Sequence, residues 1–337
     1  MKAAVLKGVR ELDIEEVAAP EPGPGQALVR IRATAICGTD LGIYMGKSRA
    51  RMPLIPGHES SGTVVALGPG ARGLSVGDRV VLNPLLFCGR CRYCLAGRPN
   101  LCLEGGLMGR ERPGTFAEFV AVEDYRCHRL PDTVSFADAT SLVVLSTVLA
   151  GARLAGIRAG NSVAVVGLGA AGILHTQLAK ASGAHPVIGI SRSAWKLDLA
   201  RRRGADVTIG GGDVVREVLK HTDGIGVDVA IECAGKAETL RHAMEMTRPG
   251  GTVLAFGILP PRLEDFDGFD LYYKELTIVG SRAMLPEDFD GAIKAVERGA
   301  IDLGSIVTHT YALDELEAAF GKVETSPGDV LRVVIEI

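Results

Sequence analysis

Three sets of residues have the types and spacing to do chemistry. The first is Gly167, Gly169 and Gly172, spaced G-x-G-x-x-G inside Asn161–Ala184. The apolar, β-branched run Ser162–Val166 leads into the glycines. Leu174, Leu178 and Ala181 then recur at helical intervals, and Gly183 stands where a helix would stop. A strand, a glycine turn and a helix in that order form a dinucleotide site. The first glycine permits a tight turn, the second lets a pyrophosphate approach the backbone, and the third lets helix and strand pack closely. The free N–H groups of the helix N-terminus then face the phosphates. The next strand, Val187–Ile190, ends in Ser191 and Arg192, where an NAD site normally carries an acid to hold the ribose hydroxyls. A carboxylate would repel a 2′-phosphate, whereas a serine with an arginine binds one through charge-assisted hydrogen bonds. Lys196, one turn into the following helix, is placed to add to it. NADP is therefore the expected cofactor, with NAD as the alternative. The bland alternative makes Arg192 and Lys196 a solvated helix start.

The second set is Cys88, Cys91, Cys94 and Cys102, spaced C-x2-C-x2-C-x7-C. Four thiolates on one short loop can close a tetrahedron around Zn²⁺, and a closed four-sulfur site has no open position, so it is structural. Free buried thiols do not suit a loop carrying Arg90, Arg92 and Arg98. An iron–sulfur cluster uses similar ligands, but nothing else around this loop is redox-active, which leaves zinc as the expected ion. The third set, Cys37-Gly38-Thr39-Asp40 and Gly57-His58-Glu59, holds further metal-type side chains. A catalytic zinc needs about three protein ligands and one open position. Taken alone, however, Cys37 and His58 read as a buried thiol and a core histidine.

The elements that must position these sets follow from the patterning. The first ~130 residues alternate apolar and polar positions between proline- and glycine-rich turns, which predicts short strands. From Phe136 the pattern becomes helical. Strands then alternate with helices from Asn161 to about Gly280, at Ser162–Val166, Val187–Ile190, Val207–Ile209, Val227–Ile231, Thr252–Phe256 and Thr277–Val279. That is a doubly wound α/β domain. Leu285–Ile337 is expected to hold two amphipathic helices and a final strand, Val330–Ile337. A chain of 337 residues accommodates two such cores. The net charge of −3 gives no general attraction to nucleic acid or anionic membranes. The longest apolar run, Leu142–Ala152, is too short to span a bilayer, and the N-terminus has no signal-like apolar segment. Seven cysteines, four of them clustered like metal ligands, suit a reducing compartment and hence a cytoplasmic protein.

In chain order, C-G-T-D, G-H-E, the four-cysteine loop, G-T-F-A-E (Gly114–Glu118), the glycine turn and K-E-L-T-I-V-G-S (Lys274–Ser281) together resemble the zinc-dependent medium-chain dehydrogenase/reductases, the alcohol and polyol dehydrogenases. The resemblance spans essentially the whole chain. It implies a GroES-like catalytic domain from residues 1–147 and 283–337, with a Rossmann domain over 148–282. It also implies two zinc ions per chain, a small alcohol, polyol or ketone substrate, and a homodimer or homotetramer. By the same resemblance, Cys37 and His58 match catalytic zinc ligands and Glu59 a ligand of the polyol branch. Asp40 matches the carboxylate that orients the zinc-binding histidine, Thr39 the hydroxyl that takes the alcohol proton, and Thr147 a residue touching the nicotinamide. The implied chemistry has zinc acidify the alcohol while hydride passes to the nicotinamide.

Two positions depart from the pattern. Val143 stands where the family has a further metal ligand or neighbour, which makes Glu59 the expected third ligand. Gly42 stands where many members carry a relay histidine, so protons leave by another route. Besides alcohol oxidation, two further readings stay open: a C=C or C=N reductase of the same fold, and an NADP-binding regulator without catalysis.

Overall fold

The structure, a computed structural model, describes every residue except 264, 265 and 267. These three fall within the proline-rich acidic stretch Leu259–Phe269, whose sequence suits the lining of a substrate mouth and a plain surface loop equally, and that choice lies partly outside the described residues. The chain divides into two compact units. The first comprises Met1–Ser146, Leu285–Glu297 and Leu303–Ile337, and the second Thr147–Met284 with Arg298–Asp302.

The first unit is built on a seven-stranded sheet. Its strands run in the order Val307–Ala312, Arg332–Glu336, Gln26–Ala35, Glu59–Leu67, Arg79–Leu82 and Cys127–Arg129, and Phe119–Glu123 also pairs with Gln26–Ala35. In Gln26–Ala35 the alternating residues Ala27, Val29, Ile31 and Ala33 are all but fully buried, which is the period of a half-buried strand. Ala35 pairs with Glu59 on one side and with Val334 on the other. That register holds the start of one strand and the C-terminal strand within a strand's width of the same residue. The tail differs from expectation in one element. Besides the helices Pro286–Glu297 and Leu316–Thr325, it contains the strand Val307–Ala312, which pairs in parallel with Arg332–Glu336. Its sequence, VTHTYA, mixes half-buried and exposed residues at a sheet edge and has no apolar run to announce it.

The second unit is a six-stranded parallel sheet in the order Val207–Ile209, Val187–Ile190, Val163–Val166, Val227–Glu232, Thr247–Ala255 and Thr277–Gly280. Val163–Val166 is buried throughout, as a strand covered on both faces must be. The direction of winding reverses between Val163–Val166 and Val227–Glu232. In such sheets the ligand crevice opens beyond the carboxyl ends of the two strands at that point. The stretch Phe136–Ala155 forms a longer helical segment than the run Leu142–Ala152 indicated, and by length and apolar composition alone it could cross a membrane. Leu142, Leu145 and Val148 are nevertheless wholly buried in the protein, as in a core helix.

Candidate metal centres and dinucleotide site

Cys88, Cys91, Cys94 and Cys102 bring their sulfurs within 4.8 Å of one another. The Sγ–Sγ separations are 3.5 Å for Cys91–Cys94, 3.9 Å for Cys91–Cys102 and 3.5 Å for Cys88–Cys102. Zn–S bonds of ~2.3 Å place the corners of a tetrahedron about 3.8 Å apart, so this donor set fits zinc without rearrangement. Backbone N–H groups aim at the sulfurs, with Cys88 N donating to Cys102 Sγ and Cys91 N to Cys88 Sγ. Donors from Leu103 and Cys94 pull the Cys91 thiol down to about 6, while burial and neighbouring thiols push Cys94 up to about 12. Four adjacent thiolates repel one another, and a divalent cation is what lets all four ionise together.

The second donor group is assembled differently. Cys37 follows the end of Gln26–Ala35, and the helix Gly38–Tyr44 begins immediately after it. His58 and Glu59 arrive at the start of the neighbouring strand. Ligand atoms of Cys37, His58 and Glu59 lie within 4.8 Å of one another, and both His58 and Glu59 are buried. Asp40, 1% exposed, ties the group together. Its carboxylate accepts from Cys37 N at 2.9 Å, Gly57 N at 3.1 Å and His58 Nδ1 at 3.2 Å. A carboxylate only accepts, so this contact puts the proton on Nδ1 and leaves Nε2 with its lone pair for a cation. Burial alone would depress His58, yet the Asp40 carboxylate and the Cys37 sulfur outweigh it and hold the ring well above its ordinary range. The same negative field favours a bound cation. A mixed sulfur, nitrogen and oxygen set of this size fits a zinc ion with an open position. Thr39 is half-buried on the helix that starts after Cys37, Gly42 lies in the interior of that helix, and Val143 is 2% exposed.

Sequence reasoning missed the partner of Glu59. Arg332 Nη2 donates to Glu59 Oε2 at 2.6 Å and to the Thr140 carbonyl at 2.7 Å, and all of this is buried. The register explains how residues 273 apart in sequence meet: Ala35 pairs with both Glu59 and Val334, and Arg332 lies two residues before Val334 on the same face. The available signal was a single arginine inside the apolar run VLRVVI.

In the second unit the three glycines each have a distinct reason. Gly167 has φ +97°, outside the range most side chains tolerate. A Cβ on Gly169 would meet nothing within 4 Å, which leaves the backbone open to a phosphate. A Cβ on Gly172 would lie 2.0 Å from the Gly167 carbonyl oxygen, so only glycine lets the helix start this close to the turn. The helix Ala170–Ala181 begins at Gly169 with no side-chain cap, and its first N–H groups remain available to an anion. Ser191 follows Val187–Ile190 and its Oγ accepts from Ser193 N at 3.2 Å. Arg192 is exposed. Lys196 is 8% exposed, unlike the solvated helix start of the bland alternative, and its ammonium sits 5.3 Å from the centre of the Trp195 ring. Thr147 is the first residue of this unit and half-buried. Cys127 and Cys233 join no donor group among the described residues, and burial pushes the Cys127 thiol up to about 12 and Cys233 well above the usual thiol range.

Two family models match the chain, the alcohol dehydrogenase GroES-like domain over residues 23–132 and the zinc-binding dehydrogenase domain over residues 170–298. An L-threonine 3-dehydrogenase of Pyrococcus furiosus is 37% identical over 94% of this chain and 94% of its own length. A sorbitol dehydrogenase of Halalkalibacterium halodurans is 30% identical over 99% of both. Among solved structures, a zinc-binding dehydrogenase from Sinorhizobium meliloti 1021 with NADP bound is similar with a TM-score of 0.94 and 35% identity, over 100% of this chain and 99% of that one.

Proposed function

This chain belongs to the zinc-dependent medium-chain dehydrogenase/reductase family, and from that premise we propose that it interconverts a secondary alcohol and its ketone with NADP as hydride carrier. Its class is an oxidoreductase acting on CH–OH groups, of the alcohol and polyol dehydrogenase kind. The observation that carries the proposal is the convergence of Cys37, His58 and Glu59, one sulfur, one nitrogen and one carboxylate donor, with the histidine and the glutamate buried.

In this reading Cys37, His58 and Glu59 hold a catalytic zinc, and a zinc so held supplies a Lewis acid that lowers the pKa of a substrate hydroxyl. Asp40 keeps the His58 ring turned and its tautomer fixed. Thr39 accepts the substrate proton at its hydroxyl oxygen and passes on its own. With Val143 at the position of a further ligand, Glu59 is the carboxylate left to complete the set. With Gly42 in place of a histidine, the proton leaves toward water. Cys88, Cys91, Cys94 and Cys102 hold a second, structural zinc. The match to threonine and sorbitol dehydrogenases supports a small polar secondary alcohol as substrate.

Cofactor choice rests on the end of Val187–Ile190. Ser191 removes the carboxylate that would repel a 2′-phosphate, and exposed Arg192 supplies a cation beside it. The NADP-bound relative lends support from outside the chain. The test combines metal counting with kcat/KM for secondary alcohols, polyols and ketones with each cofactor. Two zinc ions per chain and a preference for NADP are expected. Arg192→Ala should weaken NADP by roughly ten- to a hundredfold, the worth of one charge-assisted contact, and barely affect NAD. Ser191→Asp should shift preference toward NAD. A wild type that prefers NAD, or holds one zinc and oxidises no alcohol, defeats the proposal.

A further inference from the structure

At the carboxyl end of Val227–Glu232 stands a buried acid that no motif marks. Glu232 is 0% exposed. Its Oε1 accepts three hydrogen bonds, from Ala234 N at 2.7 Å, Gly235 N at 2.8 Å and Thr239 Oγ1 at 2.7 Å. Its backbone carbonyl accepts two more, from Phe256 N at 3.0 Å and Gly257 N at 2.8 Å. One residue thus fixes the loop leaving its own strand, the first turn of the helix Ala237–Met246, and the chain just past the strand Thr247–Ala255. Its other oxygen, Oε2, is buried without a hydrogen-bond partner among the described residues.

The loop so fixed lies against the glycine turn. Cys233 N donates to the Val166 carbonyl at 2.8 Å, and a Cβ on Gly167 would meet Ala234 N at 3.0 Å and Ala234 Cβ at 3.1 Å. The packing behind it is equally close. A Cβ on Gly235 would sit 2.7 Å from the Ile258 carbonyl oxygen, and one on Gly257 would sit 2.5 Å from Gly235 N and 2.8 Å from Glu232 Oε2. Val163–Val166 and Val227–Glu232 are the two strands at which the winding reverses. The segment Cys233–Gly235 therefore forms the wall of the crevice opposite the phosphate-binding turn, where a dinucleotide must cross.

We propose that Glu232 is a positioning residue for the dinucleotide: its Oε1 clamps Ala234, Gly235 and Thr239 so that the Cys233–Gly235 wall keeps the crevice at the width the cofactor needs. The inference rests on the dinucleotide reading of Gly167–Gly172. Glu232 itself touches no cofactor. It acts through two backbone amides and the Thr239 hydroxyl, and loss of the carboxylate would free the loop to move off the turn. The ordering of that loop would then have to be repeated at each binding event, and affinity falls accordingly.

The test is a fluorescence titration of NADPH and NADH into wild type, Glu232→Ala, Glu232→Gln and Thr239→Val, with zinc content per chain as the check on folding. Wild type should bind at least one of the two. If it binds neither, the dinucleotide reading fails and takes this proposal with it. Glu232→Ala should raise Kd more than tenfold with zinc content unchanged. Glu232→Gln retains an acceptor oxygen for all three donors and should return Kd to within about threefold of wild type. A role confined to holding the fold together would lower thermal stability in the glutamine variant, through its buried unpaired amide, without this recovery of binding. If Glu232→Ala does not fold, Thr239→Val carries the test through the removal of one of the three donors, and Kd should rise several-fold. An alanine variant that binds like wild type, a glutamine variant as weak as alanine, or an unchanged Kd in Thr239→Val overturns the proposal.

Discussion

The Cys88–Cys102 lobe and the Cys37–His58–Glu59 group both gather donor atoms within 4.8 Å, by opposite routes. The lobe is local: all four sulfurs come from one loop, and the amides that point at them come from the same loop. The second group draws Cys37 from one strand end and His58 and Glu59 from another, and its supports from still farther away. Asp40 spans from Cys37 to His58, and Arg332 reaches Glu59 from the C-terminal strand. The zinc proposed for the local site would add to the loop's own contacts, such as Leu95 N donating to the Cys91 carbonyl and Arg90 pairing with Glu104. A non-local site is held by the sheet, so it exists before a metal arrives. This difference has measurable consequences.

The largest effect should come from the local site. Cys91→Ser removes one of the four sulfurs that would hold the proposed structural zinc. We expect loss of one zinc per chain and a stability loss of several kcal/mol, a fraction of the roughly 10–16 kcal/mol that structural zinc supplies in small zinc-folded units. The Cys37–His58–Glu59 group should be unaffected in its own metal content. Zinc counting and urea unfolding of wild type and variant check this. A full complement of zinc in Cys91→Ser would mean that the lobe is ordered by something other than four thiolates.

The non-local site should answer through protein contacts. In metal-free protein, Arg332→Leu leaves Glu59 buried with an uncompensated charge, and breaking a buried pair from one side costs about 3–5 kcal/mol. Adding Glu59→Gln removes the orphaned charge, so the double variant should be more stable than Arg332→Leu alone. The four-step cycle in urea unfolding, run on metal-stripped and metal-loaded protein, measures the coupling. Strictly additive losses would show that the 2.6 Å contact does not hold this corner of the sheet.

The same contrast decides what could be read from residues alone. The four-cysteine spacing and the glycine turn are local, and their geometry matches their spacing because one loop or one strand–turn–helix unit contains every part. The strands of the parallel sheet were legible because burial on both faces leaves uninterrupted apolar runs such as VAVV and VIGI. Arg332 and Glu232 were not, because what they do depends on which strands become neighbours. An arginine within VLRVVI is only an oddity until register brings it to Glu59. Val307–Ala312 was missed for a related reason: an edge strand buries too little to leave a pattern. The contact of Lys196 with the Trp195 ring was not legible either, because helical spacing fixes the face of a side chain and says nothing of the indole beside it.

Two histidines carry the contrast to a single ring. His58 and His175 are both buried, yet His58 is held well above its ordinary range and His175 is pushed down to about 3. His58 faces Asp40 and Cys37, whereas His175, on the helix Ala170–Ala181, meets the Phe256 ring edge-on at 4.7 Å and has neither nitrogen hydrogen-bonded among the described residues. Burial is its sole cause, because nothing nearby favours the charged form. The sign follows from linkage. Unfolded, the ring takes up a proton below about pH 6.5; folded, it stays neutral to about 3. The unfolded state therefore binds more protons throughout that window, and stability falls as pH falls from about 6.5 toward 3. At ~1.4 kcal/mol per pH unit, the loss at pH 5 is about 2 kcal/mol. His175→Leu should leave stability at pH 7 equal or higher, since it removes two unpaired buried nitrogens. It should also flatten the decline between pH 7 and pH 5 by that amount, read from urea midpoints at the two pH values. If wild type and His175→Leu lose stability in parallel on acidification, the ring has a partner in solution, and burial alone does not set its behaviour.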